Sequence, residues 1–377
     1  MLRLPLHDLH RELGASFGEF AGWEAPINYG SVLEEHMAVR RSVGVFDLSH
    51  MGRILLRGEE EAYRLLDRLV PRIIDSEPRS MVGPTAFLNE HAGFKDDVML
   101  YHGSGYWLVV PNAVNRVKIY EWLAKWNDEL GAGASISDET MNLVLIAIQG
   151  PCAVKAVKDL GAPREALDLP PLRFLEDTRL EAAGARAMIL SRSGWTGEDG
   201  FEIITWPGDG EKIIRYLHDK GYQLCGLGAR DSLRMEIGFL LYGHEIDEDT
   251  TPVEARYWWV FRPGPKEDCI GCRALREALR RGASRIRVGL KMSKKARIVP
   301  RQGDKILVEG VEVGYVTSGA YSPLLKRSLG QGYVKPSHAL LGMEVEILHR
   351  GKRYRAKIAE PPFIQPRSSL GRPACST

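Results

Sequence analysis

Two adjacent carboxylates, Asp96 and Asp97, lie between a glycine turn and an apolar run, in the order Leu88-Asn89-Glu90-His91-Ala92-Gly93-Phe94-Lys95-Asp96-Asp97-Val98-Met99-Leu100-Tyr101. Val98 to Tyr101 reads as a strand and Ala92-Gly93 as the turn before it. Side chains alternate faces along a strand, so one Asp points into the protein and its neighbour points out. An inward carboxylate leading into a buried strand needs a hydrogen-bond donor or a cationic partner, because burying it alone is costly. Two uses meet that need: an Asp that caps a turn, or a carboxylate kept for a substrate.

The chain must supply enough structure around that doublet. Its 377 residues are too many for one ordinary core, so two or three domains are expected. Apolar and charged fractions of 44% and 27% are those of a soluble globular protein. No stretch of eighteen apolar residues offers a membrane span, and Met1 to Asp8 lacks the apolar core of a signal peptide, so a cytoplasmic location is expected. With 51 basic and 49 acidic residues the net charge is +2, which leaves no electrostatic footprint for nucleic acid. The cysteines are Cys152, Cys225, Cys269, Cys272 and Cys375, an odd and sparse set that does not make a disulfide framework. Cys269-Ile270-Gly271-Cys272 has CxxC spacing, but without a second pair or nearby His ligands it reads as structural rather than as a zinc or redox site. No metal site is expected: there is no HExxH and no close His pair.

The elements can be placed in outline. Residues 32–42 have helical spacing, with Gly44 closing the helix. Val45 to Met51 follows as strand or turn, then a strand over Arg53–Gly58 and a helix over Glu59–Leu69. Val144 to Gly150 precedes a second helix from about Pro151 to Leu160, so the unit of strand, glycine and helix occurs twice and suggests a weak internal duplication. Residues 182–205 read as strand, glycine-rich turn and strand, and Gly226 to Glu236 opens a helix that carries no dinucleotide fingerprint. From about Gly264 short alternating runs dominate, the texture of a separate β-barrel or sandwich. The basic stretch Lys291 to Arg297 can dock an acidic carrier or simply be a solvated loop.

Several segments taken together resemble the T-protein of the glycine cleavage system, the tetrahydrofolate-dependent aminomethyltransferase family. They include Phe20-Ala21-Gly22-Trp23-Glu24-Ala25-Pro26, Val45-Phe46-Asp47-Leu48-Ser49-His50-Met51-Gly52, Asp96-Asp97 and Asn112-Ala113-Val114-Asn115-Arg116. They continue with Gln149-Gly150-Pro151, Gly194 to Glu202, Gly226 to Glu236, Leu241-Tyr242-Gly243-His244-Glu245 and Thr317 to Pro323, in family order. The resemblance implies an α+β fold of three domains in a ring around a central folate site. Residues 1–54 with about 138–152 and 210–263 would form the first folate-binding domain, 55–137 with about 153–209 the second, and 264–377 a C-terminal β-barrel-like domain. It implies transfer of a methylene carbon from the aminomethyl-lipoyl arm of a partner H-protein to tetrahydrofolate, with release of ammonia.

Carried over position by position, Asp97 matches an essential carboxylate near the folate nitrogens that react, where it can polarise an amine N–H or manage the proton needed to release ammonia. Arg230 matches an Arg needed for activity; its structural alternative is an ion pair with Asp231 or Asp97. Glu202 matches the pterin-binding Glu, whose two oxygens suit the donors of the pterin edge. Asn112, Tyr101 and Val110 match folate-contact positions and Met51 a wall residue. Trp195 and Phe239 stand where the family has Tyr, Pro84 replaces another Tyr, Pro111 replaces a Val, and Gln365 falls near a family Arg. These departures keep open a tetrahydrofolate-dependent demethylase of the same fold. A third reading, a non-catalytic folate-binding protein that supports iron–sulfur assembly, would call for a Lys-Gly-Cys-Tyr-x-Gly-Gln-Glu motif, and the CxxC segment lacks its Tyr and Gln-Glu.

Overall fold

The computed structural model describes residues 1–74 and 77–367; Cys375 lies outside them. A six-stranded sheet runs in the order Phe174–Leu180, Ala185–Ser191, Gly200–Thr205, Val144–Gln149, Gly44–Asp47 and Gln223–Leu224. A five-stranded sheet runs Ser80–Leu88, Phe94–Gly103, Tyr106–Val110, Ile54–Arg57 and Ser135–Asp138. Strand alternation makes both sheets two-faced. Leu55, Tyr101, Leu108 and Val110 point inward and pack with Phe46, Leu145, Ala147, Ile189 and Ile204 of the other sheet. Their neighbours Ile54, Leu56, Leu100 and Val109 point outward, under Leu65, Leu66 and Leu69 of helix Glu59–Leu69 and Ile119 and Leu123 of helix Arg116–Glu129. The outer face of the six-stranded sheet is covered likewise by helices Ala153–Asp159 and Pro207–Asp219.

Six strands from Ile286–Met292 to Lys352–Ala359 close into a barrel with its own core. The barrel begins later than the change of texture at Gly264 predicts. Helix Cys272–Arg281 intervenes, and its Leu275 and Ala278 pack on Leu88 and Phe94 of the five-stranded sheet. Cys269 and Cys272 form a disulfide at the head of that helix.

Strands within 153–209 pair with Val144–Gln149 and through it with Gly44–Asp47, and an isolated bridge joins Arg173 to Ser80 of the five-stranded sheet. Val144–Gln149 offers both of its edges, and the hairpin 185–205 fills one of them directly. The repeated unit of strand, glycine and helix is present in both sheets, at Ile54–Leu69 and at Val144–Asp159, each strand flanked by two partners. Gly44 starts a strand rather than closing a helix; the helix Val32–Arg41 is capped by Ser42. Among the described residues no helix is long and apolar enough to cross a membrane.

Candidate active site

A cavity of about 630 Å³ lies where the inner faces of the two sheets, the helix Leu227–Ile237 and the barrel converge. That is within the usual range for a small-molecule site. Asp97, Arg230, Glu202, Trp195, Asn112, Tyr101, Met51, Val110 and Phe239 all line it.

Asp97 comes from strand Phe94–Gly103. Alternation sends it into the cavity and Asp96 to the opposite face, but the outward residue does not reach water. Asp96 is 0% exposed and Asp97 7%. The reason is the segment after Val110, which folds back over Asp96. The Asn112 backbone N–H donates to Asp96 Oδ2 at 2.8 Å, and Asn112 Nδ2 and Asn115 Nδ2 donate to Oδ1 at 2.8 and 2.7 Å. Asn112 Nδ2 also reaches Asp97 Oδ1 at 2.7 Å, while the Tyr257 hydroxyl donates to Asp97 Oδ2 at 3.1 Å. Burial drives both carboxyls above the ordinary carboxylate range, and the charge of Asp97 adds to the rise at Asp96.

Glu202 comes from strand Gly200–Thr205 of the other sheet and is only partly buried. Its Oε2 accepts from the Ser193 hydroxyl at 2.6 Å and from Tyr101 at 3.4 Å. The glycine turn that carries Trp195 is wrapped on buried Gln149, which donates from Nε2 to Ser193 O at 3.0 Å and accepts from Thr196 Oγ1 at 3.0 Å. A Cβ at Gly194 would stand 1.9 Å from Gln149 Oε1, so the close approach demands glycine. Buried Arg40 donates to Thr196 O at 2.7 Å and to Glu236 at 2.8 Å, tying this turn to the helix Leu227–Ile237. The Trp195 ring lies on Phe239, centroids 4.6 Å apart.

Arg230 projects from that helix, whose first turn packs so closely on Ile27 that a Cβ at Gly226 would meet backbone at 2.2 Å. Arg230 does not pair with Asp231, which is taken by Arg234 at 2.7 Å. Its Nη2 points at Met51 Sδ, 3.5 Å away, and its buried Nη1 has no hydrogen-bond partner among the described residues. Burial pulls the guanidinium down to about 10, with the charge of Glu202 opposing the fall. A cation with a free donor in a cavity wall is suited to an acceptor that a ligand brings.

Residues 6–263 match the family model described as the GCVT N-terminal domain, and 285–365 the one described as the glycine cleavage T-protein C-terminal barrel domain. The chain belongs to the glycine cleavage T-protein family. A protein of Aeropyrum pernix named probable aminomethyltransferase is 44% identical over 366 residues, which is 95% of this chain and 96% of that one. An aminomethyltransferase of Picosynechococcus sp. is 38% identical and covers 96% of this chain and 98% of its own. The crystal structure of glycine cleavage system aminomethyltransferase T from Bartonella henselae superposes with a TM-score of 0.86 at 34% identity, covering 97% and 98% of the two chains. These relatives favour neither the demethylase nor the iron–sulfur reading.

Sequence reasoning missed two residues of the cavity in this T-protein family member. Tyr257 grips Asp97 from 160 positions away. His50 also lines the cavity, with an Nδ1 that has no hydrogen-bond partner among the described residues and a ring held neutral because burial pulls it down to about 3. The available signal for Tyr257 was the density of ring and guanidinium groups in Arg256-Tyr257-Trp258-Trp259-Val260-Phe261-Arg262, several of which line the cavity. Pro84, at a replaced Tyr position, is in the wall; Gln365 is exposed and is not part of the lining. Among the described residues no cluster of His, Cys, Asp and Glu is arranged to hold a metal.

Proposed function

We propose that this cavity holds tetrahydrofolate as acceptor and receives the aminomethyl-lipoyl arm of an H-protein as donor. The reaction breaks a C–S and a C–N bond and forms two new C–N bonds to the folate. Two N–H protons leave the acceptor; one ends on the ammonia released and one on the freed lipoyl sulfur, so no oxidant is needed. The residues' tasks follow from their surroundings. Glu202 is the charged acceptor for the N–H donors of the pterin edge, a charge-assisted contact that fixes orientation. Arg230 offers its free Nη1 to a pterin acceptor or to the negative charge that develops on the departing sulfur. Tyr101, Met51, Val110, Asn112, Trp195 and Phe239 form walls that exclude water and hold a flat ligand.

Asp97 is the proton-handling group. A carboxyl raised toward neutrality by burial takes or returns a proton at little penalty near working pH, which an exposed Asp does not. The observation that carries the reading is the single cavity joining this raised carboxylate, the pterin-matched Glu202 and the free guanidinium donor of Arg230. The experiment is a methylene-transfer assay with lipoylated, aminomethyl-loaded H-protein, tetrahydrofolate and an ammonia readout. Stoichiometric ammonia and methylene-tetrahydrofolate are expected. Activity with N-methyl or S-methyl donors alone would replace this reading with the demethylase.

A further inference from the structure

Tyr257 is 4% exposed, and its ring packs beside Phe94 at a centroid distance of 6.1 Å. Packing alone would be served by a phenylalanine; a buried phenol needs a partner for its hydroxyl. Its partner is the carboxylate assigned to the chemistry, so a catalytic use of the phenol rests on that assignment. Tyr257 and Asn112 take one oxygen of Asp97 each, at 3.1 and 2.7 Å, which fixes the plane of the carboxylate.

The turn behind the phenol is clamped from three sides. Tyr257 N–H donates to Pro252 O at 2.9 Å, and Thr251 N–H and Glu254 N–H each donate to the other's side chain at 3.0 and 3.3 Å. Arg287 of the barrel donates from Nε to Ala255 O at 2.7 Å. Thr85 of the five-stranded sheet donates to Val260 O at 3.2 Å. The hydroxyl is therefore aimed by elements of two domains.

We propose that Tyr257 is a positioning residue of the transfer reaction, acting through its hydroxyl on Asp97 Oδ2 to hold the reacting carboxylate at its working angle and to stabilise its anion. The ionisable groups facing this corner are Asp96 and Tyr101 on the same strand and Arg256 beside Tyr257. Arg287 comes from the barrel, and Arg230, Asp231 and Arg234 from the helix Leu227–Ile237; His50, Glu202, Arg262 and Glu360 also stand in the cavity wall. What offsets burial at Asp97 is hydrogen bonding from Asn112 and Tyr257, not a cation. The phenol itself is raised well above its ordinary value by burial and by the charge of Asp97, so it remains a donor.

The test is Tyr257→Phe, which keeps the ring. The protonation midpoint of Asp97 is read by infrared titration of its carboxyl band, identified by loss in Asp97→Asn, in the protein without substrates. Losing a donor to the anion should move that midpoint up by about one pH unit. The acid limb of kcat should move up with it, so that kcat is about tenfold lower well below the midpoint and only about twofold lower at neutral pH, with KM for tetrahydrofolate within about twofold of wild type. Adding Tyr257→Phe to Asp97→Asn should cost nothing further, because both act through one group. An unchanged midpoint and acid limb would overturn the proposal. A shifted midpoint in a protein inactive for methylene transfer would instead sink the reaction assignment and leave the grip of Tyr257 on Asp97 standing.

Discussion

Glu202 and Asp97 are both carboxylates facing one cavity, yet their surroundings make them different chemical groups. Glu202 is partly exposed and sits among hydroxyl donors from Ser193 and Tyr101, with the charge of Arg230 bearing on it. That setting suits a group that accepts hydrogen bonds from a ligand. Asp97 is buried beside a second carboxylate and has hydrogen-bond donors but no cation to offset its burial. That setting suits a group that exchanges a proton. Residue type alone does not distinguish a binding carboxylate from a reacting one; burial, like-charge neighbours and donor type do.

The contrast can be broken by substitution. The largest effect is expected from Asp97→Asn, which should lower single-turnover transfer by about 10²–10⁴-fold, the usual worth of general acid–base catalysis. Asp96→Asn should behave differently. Asp96 is held by three N–H donors on the far side of the strand from the cavity, so the rate per folded molecule should stay within about tenfold of wild type, well short of the Asp97 loss. If steady-state assays ranked the two the other way, the roles assigned by strand alternation would be wrong.

Next in size, Glu202→Ala should weaken tetrahydrofolate binding by roughly tenfold or more, since a charged acceptor to buried donors is worth about 1.5–3 kcal/mol. Calorimetry gives the answer directly. Stability against pH should report on Asp97 further. The Asp97 carboxyl is raised in the folded state, so its favourable contribution is complete below about pH 4, the unfolded value, and is lost as pH rises through the folded one. Asp97→Asn should therefore melt like wild type near pH 4 and be more stable at pH 8 by on the order of 2 kcal/mol. A stability gap that is the same at both pH values would remove burial as the cause. The smallest effect is optical: tetrahydrofolate should perturb tryptophan emission in wild type and less in Trp195→Phe, and an identical change in both would place Trp195 away from the ligand.

Much of this was legible in the sequence because it is local. Alternation along Phe94–Gly103 separates Asp97 from Asp96, the helix Glu59–Leu69 shows its apolar stripe, and the Gly194–Gly200 turn announces a close approach. What stayed hidden depends on contacts far apart in the chain. Nothing near Asp96 foretells that Asn112 and Asn115 will cover it, and nothing near Asp97 foretells Tyr257. The pairing of 174–205 with Val144–Gln149 is likewise decided by which edge is free, a property of the assembled sheet. Arg230 shows the same limit: its neighbour Asp231 looks like its partner in sequence, but i,i+3 helical spacing gives that carboxylate to Arg234.

The most direct test places Glu202→Ala and Asp97→Asn side by side, measuring for each the folate dissociation constant by calorimetry and the methylene-transfer rate in single turnover at saturating folate. A crossed pattern is expected: Glu202→Ala binds at least tenfold more weakly but transfers within about tenfold of wild type once saturated, while Asp97→Asn binds within a few-fold and transfers at least a hundredfold more slowly. Parallel losses of binding and rate in both variants, or the reverse crossing, would contradict the division of labour between the two carboxylates.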